Sequence, residues 1–235
     1  MQYPMPVGRI DFVFMYPMTF CEFLIALDEN GLAKAISDFT PHKTISLAIH
    51  NRLLELLRLY FFIGGMPEAI AYYTKEKDLS GIEKIHSGLI QSIQFDFAKY
   101  GTRKQQEYLK NVLLYVANNI GAKVKYSNIS TNVHSNLLKD ALLKLETTRI
   151  IHLIRHTRSS KVPLSQFQEN NVFKPIFMDI GMLNHIAGIK LINLENLITA
   201  FEGALAEQFV LQEFIAGSRP YHEQKLNYWI REAKN

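Results

Sequence analysis

The stretch from Arg103 to Lys161 constrains the fold most, because it packs a regular series of short elements into less than a third of the chain. Apolar residues at helical spacing predict two helices, and a run rich in β-branched residues predicts a strand. In order, the stretch predicts a helix, a polar turn, a second helix, a strand and a basic turn: Gln106–Val116, Lys125–Asn132, His134–Glu146, Arg149–Thr157 and Arg158–Lys161.

The second helix has one apolar stripe. Its members follow the spacing i, i+1, i+4, i+5, i+8 and are Leu137, Leu138, Ala141, Leu142 and Leu145. Such a stripe faces a core and leaves the other positions pointing outward: Ser135, Asn136, Lys139 and Lys144. These elements in this order are typical of a winged helix, which we expect over residues 101–187.

The same stretch carries the basic charge of the chain. It holds eleven Lys/Arg against three Asp/Glu, a net charge of +8, whereas the whole chain has +4, so the remainder sums to −4. A concentrated basic surface suits duplex DNA. The predicted phosphate contacts are Lys123, Lys125, Lys139, Lys144, Arg155, Arg158 and Lys161, and Asn136 is predicted to reach a base edge.

Two alternatives to DNA binding remain open at this stage. In the first alternative, the basic residues are exposed to solvent and bind no partner. In the second, the winged helix contacts a protein partner or a second copy of the chain. The sequence offers only the charge of this stretch to decide between them.

Composition predicts a globular cytoplasmic protein. Hydrophobic residues make up 48% of the chain, and Cys21 is the single cysteine. The most apolar run, Leu53–Ile63, contains Glu55 and Arg58 and is too short to cross a bilayer, so we expect no membrane partner. The histidines lack the spacing of metal ligands, so we expect no metal site.

The rest of the chain predicts more helices and three further strands. Thr19 and Glu22 have the spacing of a capping box, and Asn30-Gly31 is predicted to end the helix that they begin. Val172–Met178 is predicted to pair with the strand before the basic turn. A short helix is expected to run to about Asp38, and the other helices are expected at Thr44–Ile63, Pro67 onward, Leu79–Tyr100, Ile180–Ala187 and Leu194–Ala216.

Two predicted strands have no evident partner in the sequence. These are Gly8–Pro17, which is apolar on both faces, and Asn227–Ile230. Unpaired strands suggest that parts of a larger sheet lie outside the chain at both ends, and that the exposed edges favour self-association.

Several runs, in their order and spacing, resemble one family, the prokaryotic AAA+-like ATP-binding proteins with a C-terminal domain of unknown function. The runs are Pro6–Ile10 with Tyr16–Leu24, Phe62–Ala69, Lys125–Ile129, Phe177–Leu183, and Leu205–Val210 with Tyr228–Lys234. The resemblance implies a mostly helical α+β chain. Its parts would be a P-loop ATPase remnant (1–40), a helical lid (41–100), the winged helix (101–187) and a truncated endonuclease-like segment (188–235).

The resemblance also implies residues that touch nucleotide in complete relatives. Arg9 is similar to the arginine that reaches a neighbouring subunit's phosphate, and Gly64, Gly65 and Pro67 are similar to the lid motif in which proline packs on adenine. The other interpretations are an ordinary strand-edge arginine for Arg9, and a helix stop followed by a helix start for the glycines and proline.

A nuclease site is the third possibility and has the least support. Glu232 and Lys234 have the E-x-K spelling of such sites, and Glu207 matches a helix carboxylate, but no strand aspartate stands between them. We interpret Glu232 and Lys234 as solvated charges.

The expected behaviour toward ATP follows from a missing motif. The sequence contains no G-x-x-x-x-G-K-[ST] run and no apolar strand that ends in acidic residues, although relatives would bind ATP and Mg²⁺ through such segments. We therefore predict that the chain neither binds nor hydrolyses ATP measurably, so no catalytic residue is assigned. Titration calorimetry that found micromolar affinity for Mg-ATP would contradict this.

Overall fold

The computed structural model of the chain describes residues 11–130, 132–159, 161, 163–189, 194–221 and 223–230. Within these residues the fold is α+β and mostly helical, as predicted. Two 3₁₀ turns cover Phe97–Tyr100 and Leu164–Phe167. The α-helices are α1 (Phe20–Ala26), α2 (Asn30–Ser37), α3 (Leu47–Ile63), α4 (Pro67–Glu76), α5 (Ser80–Asp96), α6 (Arg103–Asn118), α7 (Tyr126–Ile129), α8 (Ser135–Thr147), α9 (Ile180–Ile186) and α10 (Leu194–Ala216).

The described strands form one small mixed sheet in the order β1-β3-β2-β4. The strands are β1 (Val124–Lys125), β2 (Ile151–Thr157), β3 (Gln168–Phe177) and β4 (Asn227–Tyr228). β3 pairs antiparallel with both β1 and β2, and β4 runs parallel to β2. The pairing of β2 with β3 confirms the sequence prediction, although β3 begins earlier, at Gln168.

Local chemistry sets several helix ends where the sequence predicted them. Thr19 and Glu22 form the expected capping box of α1. Gly64 ends α3 with φ +75°, a backbone conformation that favours glycine, and Pro67 begins α4. The predicted bounds of α10 are confirmed.

The predicted strand Gly8–Pro17 is wrong over its described part, Asp11–Pro17, which has no regular secondary structure. Its backbone makes isolated hydrogen bonds instead, such as Phe14 N–H to the Pro220 carbonyl (2.8 Å). An alternating pattern does not make a strand where no neighbouring strand offers a ladder of partners. The side chains of Phe12, Val13 and Met15 are accordingly exposed.

Other sequence predictions failed for local reasons. Asn30-Gly31 begins α2 rather than ending α1, because Asp28 makes the intervening turn with φ +63°. Residues 126–129, predicted as a turn, form helix α7. The last strand, at Asn227–Tyr228, has a partner after all, because β2 offers its free edge.

One apolar core joins the helices to one face of the sheet. It runs from Phe20 on α1 through α3, α5, α6 and α8 to Leu205 on α10. It is therefore continuous across the boundaries predicted at residues 40/41 and 100/101. A smaller cluster on the other face of the sheet joins Ile154 and Ile176 to Ile215 of α10.

A buried carboxylate ties the turn after α3 to the start of α9. Asp179 is fully buried and accepts hydrogen bonds from Gly65 N–H (2.6 Å) and Met182 N–H (2.9 Å). Burial raises the pKa of Asp179 to about 6, against the opposing effect of these backbone donors. A Cβ on Gly64 would lie 2.2 Å from this carboxylate, so the glycine lets the two segments approach.

A buried histidine completes this junction. His86 of α5 is 2% exposed, because α9 covers that side of the helix. Its Nε2 donates to the Ile63 carbonyl (3.0 Å), and burial lowers the pKa of His86 to about 4. The side chain of His86 therefore also fixes the backbone of Ile63, the residue that precedes Gly64.

Helix α10 docks on the rest of the molecule through polar side chains that bind backbone groups. Gln208 accepts from Phe177 N–H and donates to the Phe177 carbonyl, both at 2.8 Å. Gln212 accepts from Ile180 N–H (2.9 Å), and Glu213 accepts from Phe20 N–H (3.0 Å). Each contact satisfies a backbone group at the end of an element.

No helix in the described part of the chain is long and apolar enough to cross a membrane.

Substitution of Asp179 by Asn should destabilise the fold. An amide supplies one acceptor oxygen only, so its NH₂ group would face a backbone N–H donor. We expect a loss of about 1–3 kcal/mol, visible as a lower melting temperature. Asp38→Asn makes the same change at an exposed position and should leave the melting temperature nearly unchanged; equal effects would contradict the role of Asp179.

Substitution of Glu213 by Gln should stabilise the protein at high pH. Burial raises the pKa of Glu213 to about 7, assisted by the nearby Glu22, so its contribution to stability is lost as pH rises through about 7. Gln keeps an acceptor for Phe20 N–H and does not ionise. We expect a gain of about 1–2 kcal/mol at pH 8, discounted because the side chain is not fully buried, and almost none near pH 4.5. Melting curves at both pH values test this, and a gain that does not change with pH would contradict it.

Candidate nucleic-acid interface

The first two predicted DNA contacts, Lys123 and Lys125, lie between α6 and α7. Val124 of β1 is buried against the core, and Lys125 beside it is exposed, because successive strand residues point to opposite faces. Lys123 is exposed as well. Lys125 pairs in register with Val172 of β3, four residues after the start of that strand.

Helix α8 brings a second group to the same region. Asn136 is exposed, and Lys139 extends over the ring of Tyr126, with Nζ 5.8 Å from the ring centroid. Tyr126 follows Lys125 directly and packs on Phe173 of β3 (5.0 Å between centroids). Lys139 of α8 therefore lies near the residue that directly follows Lys125 of β1.

Lys144 lies on a different side of α8. A five-residue step turns the helix by about 140°, so Lys144 points away from Lys139. It lines a groove of about 300 Å³ between α6 and α8 with Asp140, and Leu137 lines it too. Leu137 was predicted in the apolar stripe but is 39% exposed, because it stands at the edge of the stripe beside this groove.

Arg155 has an internal partner. Its two terminal nitrogens donate to the two oxygens of Glu146, each at 2.8 Å. About a quarter of each side chain is exposed, at 24% for Arg155 and 26% for Glu146. This bidentate pair joins α8 to β2, so both terminal nitrogens of Arg155 already have an acceptor within the protein.

The loop between β2 and β3, predicted as the wing, contains Arg158 and Lys161, and both are exposed. Arg158 Nε donates to Glu169 Oε1 at 2.5 Å. The second oxygen of Glu169 is 3.2 Å from Nδ1 of His156. Among the described residues, no carboxylate forms an ion pair with Lys123, Lys125 or Lys161.

The residues that resemble the lid motif are Gly64, Gly65 and Pro67, and their observed contacts are part of the fold. Gly64 and Gly65 are buried, and their N–H groups donate to the Tyr60 carbonyl (2.7 Å) and to Asp179. Pro67 is exposed at the first position of α4. Arg9 lies outside the described residues. A nucleotide contact at these positions stays a prediction.

The helix carboxylate of the nuclease interpretation is paired with a lysine. Both oxygens of Glu207 accept from Nζ of Lys174, at 2.6 and 2.8 Å. Glu232 and Lys234 lie outside the described residues. In the described part, no three His, Cys, Asp or Glu side chains are placed to hold a metal ion.

The amino-acid sequence assigns the chain to a protein family. The family model of a domain of unknown function, DUF8612, matches residues 54–192, more than half of the chain. The chain belongs to this family. The DUF8612 match runs from α3 to just after α9 and so includes the glycine turn, Asp179 and the basic residues described above. No curated protein and no solved structure matches the chain.

Sequence reasoning missed the carboxylates that pair with the arginines of this region. Glu146 directly follows the apolar stripe of α8, and Glu169 lies before the predicted strand Val172–Met178, so no sequence pattern marked either residue as the partner of an arginine. Arg155 follows Glu146 by nine positions and Glu169 follows Arg158 by eleven positions, and only the turn after α8 and the β2–β3 hairpin bring the partners together.

Substitution of Arg155 by Ala should affect stability more than DNA binding. It leaves the half-buried Glu146 without its partner and removes the link from α8 to β2. We expect a loss of about 1–2 kcal/mol, less than for a fully buried pair. Arg158→Ala, at a side chain that is 74% exposed, is the matched control and should barely change the melting temperature. Equal melting temperatures for wild type and Arg155→Ala would contradict this assignment.

Proposed function

We propose that this DUF8612 protein binds duplex DNA through a winged helix, weakly and with little sequence preference. The observation that carries the proposal is that three lysines of the predicted winged helix are exposed and have no carboxylate partner among the described residues: Lys123, Lys125 and Lys161. Lys123 precedes β1, Lys125 is its last residue, and Lys161 lies in the loop that joins β2 to β3.

The order of elements supports the winged-helix part of the proposal. α6, β1, α7, α8, β2, the loop 158–167 and β3 follow one another, and β1 completes a three-stranded antiparallel sheet with β2 and β3. In such a unit the second helix of the turn motif enters the major groove and the wing lies along the backbone. Here those parts would be α8 and the loop 158–167.

The contacts divide by chemistry. Lys123, Lys125 and Lys161 would neutralise phosphates, which contributes affinity without sequence preference. Asn136 is exposed near the start of α8 and would be the one residue placed for a base edge. Arg155 would position α8 against β2 rather than bind DNA.

The wider likeness to AAA+-like ATP-binding proteins rests on sequence runs and belongs to the same proposal. Helices α3 to α5 would correspond to the lid-like region of such proteins, and α10 with β4 to the start of the endonuclease-like segment. The buried junction around Asp179 fits a scaffold role for the Gly64-Gly65 and Asp179 runs.

A protein-contact role is the second candidate, and one surface favours it. The groove between α6 and α8 has the exposed Leu137 on its wall and the acidic Asp140 beside it. An apolar side chain and a carboxylate on the outer side of α8 suit a protein partner better than a phosphate backbone.

A salt titration of binding to a random duplex tests the DNA proposal. Log affinity should fall linearly with log salt concentration, and each phosphate-bound lysine that is removed should lower the magnitude of the slope by about one unit. For the variant Lys123→Ala/Lys125→Ala/Lys161→Ala we therefore expect a slope shallower by about three units.

The matched control is Lys34→Ala/Lys43→Ala/Lys84→Ala, which removes three exposed lysines from other parts of the chain. Its net charge falls by the same amount, and its slope should stay close to that of the wild type. If both triple variants have the same slope, or if the wild type does not bind at low salt, the DNA proposal fails and the protein-contact role takes its place.

A further inference from the structure

Two basic side chains of the hairpin converge on one carboxylate. Arg158 Nε donates to Oε1 of Glu169, and His156 Nδ1 lies 3.2 Å from Oε2 of the same residue. Each oxygen therefore has its own nitrogen partner. Nitrogens that approach two oxygens of one anion in this way also match two oxygens of a phosphate group.

An irregularity in the hairpin brings the carboxylate to this position. Arg155 pairs with Phe173, so a regular antiparallel ladder would place residue 172 opposite His156. The pairing instead shifts between Arg155 and His156, and Glu169 stands opposite His156. Bulges of this kind redirect side chains, and here the shift places an acid beside two basic groups.

The arginine of this pair is open to solvent. The side chain of Arg158 is 74% exposed, against 24% for Arg155, whereas the two carboxylates, Glu169 and Glu146, are each 26% exposed. An ion pair with one exposed partner adds little to stability, so an external anion can compete with Glu169 for the Arg158 guanidinium. Lys161 lies three residues beyond Arg158 and is exposed as well.

We propose that His156 and Arg158 form a binding site for one phosphate of duplex DNA, and that Glu169 occupies this site in the free protein. DNA binding would displace the Glu169 carboxylate from the two nitrogens, and the phosphate would take its place. This inference rests on the proposed DNA-binding function. Glu169 then lowers affinity in the free protein and acts as an internal competitor of the DNA backbone.

A double-mutant cycle tests the site. Glu169→Gln keeps the shape of the side chain and removes its charge, so it should strengthen binding of a random duplex at low salt by about tenfold, the value of one charge-assisted hydrogen bond. In an Arg158→Ala background the same substitution should give only a small gain, because the site has lost its main donor. Melting curves of each variant confirm that the hairpin remains folded.

The control is Glu83→Gln on α5, which makes the same change of charge at an exposed position of another element and should leave affinity unchanged. Equal gains from Glu169→Gln in both backgrounds, or no gain in either, would overturn the site. Inorganic phosphate at constant ionic strength should bind Glu169→Gln far more weakly than the duplex does; equal binding would assign the site to free phosphate instead.

The outcomes separate this inference from the proposed function. If the wild type binds the duplex with a slope that depends on Lys123, Lys125 and Lys161, while the cycle is additive, only the Glu169 site fails. If neither the wild type nor Glu169→Gln binds the duplex at low salt, both proposals fail.

Discussion

The hydrogen bonds that Asp179 accepts inside the core are the interaction on which the rest of the structure depends. This carboxylate joins the turn after α3 to the first turn of α9, and Gly64 lets the two backbones approach. A buried carboxylate is costly unless donors surround it, and here the backbone supplies them. The helices before residue 66 and the strands that lead to α9 are thereby held in one arrangement.

Helix α10 extends the same principle to the far side of the sheet. Its buried face carries polar side chains beside apolar ones such as Leu205 and Ile215, and Gln208, Gln212 and Glu213 bind backbone groups at the end of β3 and at the starts of α9 and α1. Gln212 also donates to the hydroxyl of Tyr60 (3.0 Å), which in turn donates to the Met18 carbonyl (2.6 Å). Four of the sequence runs that resemble AAA+-like proteins therefore contribute to one region of buried hydrogen bonds: Tyr16–Leu24, Phe62–Ala69, Phe177–Leu183 and Leu205–Val210.

The local part of this fold was predictable from the sequence, and the long-range part was not. The end of α3, the start of α4 and the bounds of α10 follow from the glycine turn, the proline and the apolar spacing. Asp11–Pro17 has the alternation of a strand, but the position of Pro220 and other distant groups decided its conformation. The candidate site divides in the same way, since the exposed lysines follow from pattern and charge, whereas the partners of Arg155 and Arg158 depend on tertiary contacts.

The central claim has two parts. The hydrogen bonds of Asp179 stabilise the fold, and the proposed DNA binding takes place at β1 and at the loop between β2 and β3. Amide hydrogen exchange with and without a random DNA duplex tests it most directly. The Gly65 and Met182 amides should exchange only through global unfolding, and the duplex should not alter their exchange. The amides near Lys125 and Arg158 should exchange more slowly when the duplex is bound. A change confined to Gly64 and Gly65, with none near Lys125 and Arg158, would contradict the account.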